Sequence, residues 1–485
     1  MIPAHAEPTT PALDSAAPAP VPVDASAPAR RILAVLGLMA LVVILAIVSW
    51  HAVWRNQPDF EYFYKGGRAL LEHGSLDNGY DRLANGAMIP RGRLDWYLPF
   101  VPRVMTLLAW MPAWIAGVVW LAANLAALAA LLVLLVRRFT RFAPPYQPLA
   151  LFAVVLCLPL AWYWEFRLNQ IDTLTLLLLV SSYLLWERGR HGVAGFWLGL
   201  AVLLKLTPVL LILWFALKRQ FRTVAVALLT VALAGPAADV IALHPHYMAE
   251  CYDGWATAAM HDASHMALVR AEREMDWRNQ GLGAVLARWL THTNWRTQYD
   301  NEPRATDDPD AAYFNPVDLP RAVIGGLATA MLVGLILVLA WLARVPAGKL
   351  SHRALRSEWA LCLLLILLAM PVLRRYHMVM ALPAVLLLSD ALYQGLLAGR
   401  AAALALGCIL FLAGAQWALL LRGGVTPNLF EAGGGLLLTI VLLLLPLLIV
   451  RARSMRPEIE AALATAPENH TDSADHGPSP AAYHA

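Results

Sequence analysis

Three groups of residues could do chemistry in this sequence. Asp59 opens the stretch Asp59-Phe60-Glu61-Tyr62-Phe63-Tyr64, directly after an apolar run. A carboxylate there can take a proton from a hydroxyl. It can equally cap a helix, because Phe60, Phe63, Gly67 and Leu70 or Leu71 fall at the spacing of one helical face. Lys205 interrupts the otherwise apolar stretch 192–217, just ahead of Thr207-Pro208. A lysine so placed either snorkels to water or marks a site, and its ammonium suits a phosphate. Arg374, Arg375 and His377 crowd one short connection. They suit a phosphate or diphosphate, or the headgroups of membrane lipids.

Polar amides form a weaker signal. Arg167, Asn169, Gln170 and Asp172 share a second short connection, and Asn279-Gln280 lies in a long polar segment. Asn and Gln offer both donors and acceptors, which suits sugar hydroxyls, but such pairs are also ordinary loop residues.

These residues need elements to hold them, and composition says which. The chain has 485 residues, 59% hydrophobic and 14% charged, where a soluble domain carries about 25% charged residues. Residues 32–50, 113–136, 322–343, 401–421 and 433–450 contain no Asp, Glu, Lys or Arg. Runs of that length match the roughly 30 Å of a bilayer core, and in lipid they must be helices. The sequence thus predicts an all-α polytopic membrane protein of about 12 helical passes. Residues 1–29 and 457–485 read as disordered cytoplasmic tails flanking one membrane domain, 30–456. The net charge of +4 is scattered between spans and does not indicate nucleic acid. Four cysteines show no disulfide or zinc spacing.

Basic clusters set the orientation. With a cytoplasmic N-terminus, alternate connections carry Arg137, Arg138 and Arg141, then Arg188 and Arg190, then Lys218, Arg219 and Arg222, and so on to Arg451 and Arg453, as the positive-inside rule requires. The scheme works only if 192–217 is two short helices meeting at Lys205-Leu206-Thr207-Pro208. Two large loops, 51–98 and 244–320, then face outward with interfacial helices, and Asp59, Lys205, Arg374, Arg375 and His377 share the outer half of the membrane. One carboxylate opposite several cations fits group transfer from a lipid-linked phosphate. A lipid-linked glycan transporter or flippase is the main alternative, and a glycan ligase or polymerase using a lipid diphosphate is another.

The order of the short motifs resembles glycosyltransferase family 87, of the GT-C class. Asp59-Phe60 with Tyr62, Tyr64, Gly66 and Ala69, then Tyr97-Leu98-Pro99-Phe100, Gly199-Leu200 with Lys205 and Thr207-Pro208, Asn279-Gln280, and Met370-Pro371 through His377 to Pro383 carry the likeness, which runs from about residue 32 to 450. The resemblance implies a GT-C-type bundle and an inverting, metal-independent glycosyltransferase of the cytoplasmic membrane. Its donor would be a polyprenyl-phosphate sugar, most often mannose, and its acceptor a lipid or glycan on the outer face. It implies Asp59 as general base and Lys205 and His377 facing the donor phosphate, a place that the residue types of Arg374 and Arg375 also suit. Tyr62, Arg167, Gln170, Asn279 and Gln280 would surround sugar and acceptor, with no cofactor. The chain departs from the family at Asn169-Gln170-Ile171-Asp172, at Gly281 in place of a common serine, and at Tyr376-His377.

Overall fold

A computed structural model describes residues 58–73, 80–82, 88–90, 97–142, 156–242, 277–296, 312–422 and 428–464, with single positions 35, 39, 42, 46, 50, 146, 147, 150 and 252. Both far tails, half of the 51–98 segment and most of the 244–320 segment lie outside these residues.

The elements in chain order are α1 (Pro58–His73), a two-stranded antiparallel hairpin β1 (Tyr80–Arg82) and β2 (Met88–Pro90), α2 (Phe100–Ala109), α3 (Ala113–Phe139), α4 (Pro159–Leu168), α5 (Asp172–Glu187), α6 (His191–Leu204), α7 (Val209–Leu217) and α8 (Phe221–Ala232). A π-turn at Leu233–Ala237, kinked at Gly235-Pro236, leads from α8 into α9 (Ala238–Ala242). Then come α10 (Leu282–Leu290), α11 (Arg321–Ala343), α12 (His352–Ala369), a 3-10 segment (Arg375–Ala381), α13 (Leu382–Tyr393), α14 (Gly399–Leu421), α15 (Leu429–Ala432) and α16 (Gly435–Ala464). The last helix runs to Ala464, beyond residue 457 where the sequence suggested a tail.

This is a multi-pass membrane protein. Six helices among the described residues are long and apolar enough to cross a bilayer, or seven if α4 and α5, bent by 112° at their junction, form one broken span. On α11, Val323, Leu327, Met331, Val333, Leu337 and Trp341 are exposed, an apolar surface that lipid covers and water would not tolerate. The dozen passes read from the sequence include elements that fall short of a full crossing. At 1.5 Å per residue, α6 and α7 span only about 21 and 14 Å. Helix α12 is long enough but carries Arg353, Arg356 and Glu358.

Contacts define two ends of the bundle. At one end, Asp172 at the start of α5 meets Lys205, and Leu373, just past α12, meets Asn279. At the other, Glu187 at the end of α5 pairs with Arg356 near the start of α12, and Lys218 pairs with Glu358. Helices α6 and α7 therefore run up and back, with Lys205 in extended conformation at the break. Proline at 208 cannot donate a helical hydrogen bond, and the residue before it avoids helical geometry. That is the split expected from the sequence.

Helix α6 packs on α8 through small residues. A Cβ at Gly199 would lie 2.7 Å from the Ala227 carbonyl oxygen and 2.6 Å from Thr230 Cβ, and Gly195 one turn away is as tight against Thr223. This is the close backbone approach that small-xxx-small patterns permit in membranes. Gly199→Leu is expected to destabilise the fold by about 3 kcal/mol through overpacking, seen as a lower thermal midpoint in detergent. An unchanged midpoint would show that α6 and α8 are not so closely packed.

Buried charge at the far end is paired. Glu358 accepts from Lys218 at 2.6 Å, from the Trp214 indole at 2.9 Å and from Arg451 at 2.9 Å, all within the packed interior. Asp390 accepts from the Arg141 backbone at 2.7 Å at this end, and Asp239, at the opposite end, pairs with Arg103 at 2.6 Å. Both aspartates are thus packing residues. Cys157, Cys362 and Cys408 are buried free thiols.

Candidate active site

Asp59 lies in the first turn of α1, with Phe60, Phe63 and Leu70 buried on one face while Glu61, Lys65 and Leu71 are exposed. This is the amphipathic helix that the spacing predicts. Tyr64 donates to the Met111 carbonyl at 2.7 Å and Arg68 to that of Ala109 at 3.0 Å, tying α1 to the end of α2. Phe63 meets the Tyr97 ring edge-on at 4.9 Å.

Asp59 itself is buried, and its Oδ2 accepts a short hydrogen bond from the Gln170 amide. Gln170 in turn accepts from the Tyr97 hydroxyl at 3.3 Å. Burial pushes that hydroxyl well above its ordinary pKa, so Tyr97 donates as a neutral phenol. The direction of the relay is fixed: tyrosine donates to the amide oxygen, and the amide nitrogen donates to the carboxylate.

The turn that carries Gln170 is itself clamped. Asn169 adopts the left-handed conformation at φ 56°, closing α4. Its carbonyl accepts from the Trp120 indole at 3.1 Å, and its side chain donates to the Gly117 carbonyl at 3.0 Å. Asn124 donates to the Gln170 carbonyl at 2.8 Å. Gly117, Trp120 and Asn124 recur on one face of α3, so a single helix face holds the sharp bend between α4 and α5.

Past the bend, Asp172 begins α5 and pairs with Lys205 at 2.6 Å. Lys205 also lies 5.7 Å from the centre of the Tyr376 ring. The adjacent His377 is buried and accepts from the Arg374 backbone at Nδ1, 2.9 Å away. That bond places the ring proton on Nε2, leaving it as a donor. Glu165 is fully buried beside Asp172 and accepts from the Thr173 backbone at 2.7 Å. Tyr97 lies within electrostatic reach of Asp59, Glu165, Asp172 and Tyr376, which joins the carboxylate half of the site to the lysine half.

The structure thus brings Asp59, Gln170, Lys205 and His377 together. It gives other expected residues different work. The Arg375 guanidinium, expected at the donor phosphate, is held by both Glu431 carboxylate oxygens and lies over Trp164 and Trp277 at 5.3 and 5.0 Å. Asn279 and Gln280, expected at sugar or acceptor, grip backbone. Asn279 accepts from the Gly281 and Leu373 amides and donates to the Pro371 carbonyl. Gln280 donates to the carbonyls of Trp277 and Glu431. Together they latch the 277–281 segment onto the one that carries His377. Gly281 is required there, because a Cβ would collide with the Pro371 carbonyl, and this accounts for the missing serine. Arg167 stacks on Trp164 at 4.7 Å and donates to the Tyr163 hydroxyl. Tyr62 is half-buried on α1.

Sequence reasoning missed Glu165, Tyr97 and Tyr376 as members of the site, and did not pair Asp172 with Lys205. The only signal for the last was that a buried lysine requires a counter-ion.

The sequence profile of glycosyltransferase family 87 matches residues 96–371. The chain belongs to this family. The match contains Gln170, Asp172, Lys205, Asn279 and Gln280, while Asp59 and His377 lie just outside it. A curated relative from Mycolicibacterium smegmatis, a polyprenol-phosphate-mannose-dependent alpha-(1-2)-phosphatidylinositol mannoside mannosyltransferase, is 28% identical over 215 residues, which is 40% of this chain and 47% of the relative. The chain therefore spans about half the length of the relative it matches. No solved structure matches the chain.

Gln170 is the nearest support of the Asp59 carboxylate. Gln170→Leu is expected to lower turnover about tenfold to a hundredfold through misplacement of that group, with little change in the KM for the lipid donor. A raised KM at normal turnover would instead put Gln170 in contact with the donor.

Proposed function

We propose that this protein transfers a sugar, mannose by analogy with its relative, from a polyprenyl-phosphate donor to a lipid or glycan acceptor, with inversion at the anomeric carbon. The observation that carries the reading is the buried Asp59, aimed by Gln170 and Tyr97 and close to the Lys205–His377 cluster, in a family 87 chain. Asp59 takes the proton of the acceptor hydroxyl. The acceptor oxygen attacks the anomeric carbon, and the bond from that carbon to the phosphate oxygen breaks with its electron pair leaving on phosphate. Attack and departure on opposite faces turn a β-linked donor into an α-mannoside. Lys205, His377 and Arg374 meet the charge that builds on the departing phosphate, a role this reading gives to side chains and not to a metal ion.

The site faces the outside of the cytoplasmic membrane in this proposal, with both termini inside and about a dozen passes forming one catalytic unit over residues 30–456. Its basis is charge: Arg188, Arg190, Lys218, Arg219, Arg353, Arg356, Arg451 and Arg453 gather toward the end of the bundle away from Asp59, as the positive-inside rule asks of a cytoplasmic face. The 51–98 and 244–320 segments are then the outer loops. The test is purified protein with radiolabelled polyprenyl-phosphate mannose and a membrane lipid extract. A labelled mannolipid that separates from the donor and survives the mild acid that cleaves a glycosyl phosphate supports the reading. No labelled product from any of several polyprenyl-phosphate sugars overturns it.

A further inference from the structure

We infer that Asp172 is a positioning residue that makes the site indifferent to the second negative charge of the spent lipid phosphate, so that this product can leave. The inference rests on the reading above, in which the leaving group is a lipid phosphate.

The reaction changes charge where Lys205 stands. The donor is a phosphodiester with one negative charge. The leaving group is a phosphomonoester, whose second ionisation near pH 6 leaves it close to doubly charged at pH 8. The proton taken from the acceptor goes to Asp59, so total charge is conserved while the phosphate gains one unit. A site that only accumulated cations would bind its product more tightly than its substrate and stall.

The structure supplies a counterweight. Lys205 is nearly buried at the break between α6 and α7, and one of its three donor directions is taken by Asp172 Oδ1 at 2.6 Å. Asp172 is fully buried, and its Oδ2 accepts no hydrogen bond among the described residues. A second carboxylate, Glu165, stands beside it with Oε2 likewise unpartnered there. His377 adds a hydrogen-bond donor at Nε2 without needing to be charged. Lys205 and Asp172 form a pair with no net charge, so the lysine offers donors to a phosphate without favouring the more highly charged one. The second negative charge of the product meets Asp172 at close range instead of an uncompensated cation.

The experiment measures binding of farnesyl phosphate, a dianion at pH 8, against its methyl diester, a monoanion, to the full-length protein in detergent. Wild type is expected to bind the two within about threefold of each other. Asp172→Asn removes the counterweight, so its preference for farnesyl phosphate over the diester should rise at least roughly tenfold, since one unit charge a few ångströms away in a partly buried site is worth that much. Adding Lys205→Gln to Asp172→Asn should erase the gain. The multiple-turnover rate of Asp172→Asn should fall further than its first-turnover rate. A wild-type preference for the dianion above tenfold overturns the inference, and this needs no variant. So does an Asp172→Asn protein whose preference equals that of wild type. Because neither ratio involves a sugar, a wrong donor in the reading above shows separately, as absent mannose transfer with the ratios as expected. Failure to bind either lipid overturns both.

Discussion

Asp59→Asn should abolish sugar transfer, by about a thousandfold, while the protein folds and still binds its lipid donor. The magnitude lies within the range that a positioned general base contributes. The substitution keeps the shape of the side chain and its place in the first turn of α1 but removes the proton acceptor. Lys205 and His377, which meet the phosphate in the proposed mechanism, belong to other elements and are untouched, so donor affinity should change less than threefold. The loss should therefore appear in turnover and not in KM. Asp59→Glu moves the carboxylate by about one methylene and should recover only part of the rate. Transfer by Asp59→Asn at near the wild-type rate would remove Asp59 from the mechanism and send the search for a base to Glu165 or Asp172.

The largest expected effect on stability lies far from the chemistry. Glu358→Gln should cost about 3–5 kcal/mol, the usual penalty for breaking a buried ion pair by removing one partner. Glu358 faces Lys218 and Arg451, and Lys218 and Glu358 are fully buried. With the negative charge gone, two cations remain in the interior facing only neutral acceptors among the described residues, the new side-chain amide oxygen and the Val345 and Leu342 carbonyls. The measurement is the thermal midpoint in detergent, and adding Lys218→Met should restore part of the loss. An exposed pair provides the contrast. Lys65 and Glu61 lie 2.8 Å apart but are half exposed or more, so Lys65→Ala should change the midpoint little. If Glu358→Gln matched Lys65→Ala, the triad would contribute no more than a surface pair.

Much of the architecture was legible in the residues. Long uncharged runs marked α3, α11, α14 and α16 because lipid leaves the backbone no alternative to a helix. The spacing of Phe60, Phe63 and Leu70 marked α1. The break at Lys205 was legible because a lysine followed by Thr-Pro conflicts with a continuous apolar helix, and because the later basic clusters required it. What could not be read were pairings distant in sequence. Nothing local says that Arg375 meets Glu431, or that Lys205 meets Asp172. An arginine beside a histidine looks the same whether it waits for a phosphate or is already held by a carboxylate. Asn279-Gln280 misled for a similar reason, since an amide that binds sugar and an amide that binds backbone present the same atoms. Membrane thickness also misleads counting, because short helices such as α6 and α7 are held by neighbours and need not each match the bilayer.

The hydrogen bonds described for the latch of Asn279 and Gln280 go to main-chain atoms, among them the Pro371 carbonyl, the Leu373 amide, and the Trp277 and Glu431 carbonyls. Such a clasp does not read the side chains it holds. Position 372, half-buried, is therefore open to diversification while the segment leading to His377 keeps its course, whereas Leu373 is packed in the core and the two amides that close the clasp are not interchangeable with residues lacking their donors. A library randomised at Val372, selected for altered acceptor use, should stay folded far more often than one randomised at Asn279 or Gln280. In engineering terms, the chain separates the part that secures the roof of the site from the part that can be redecorated.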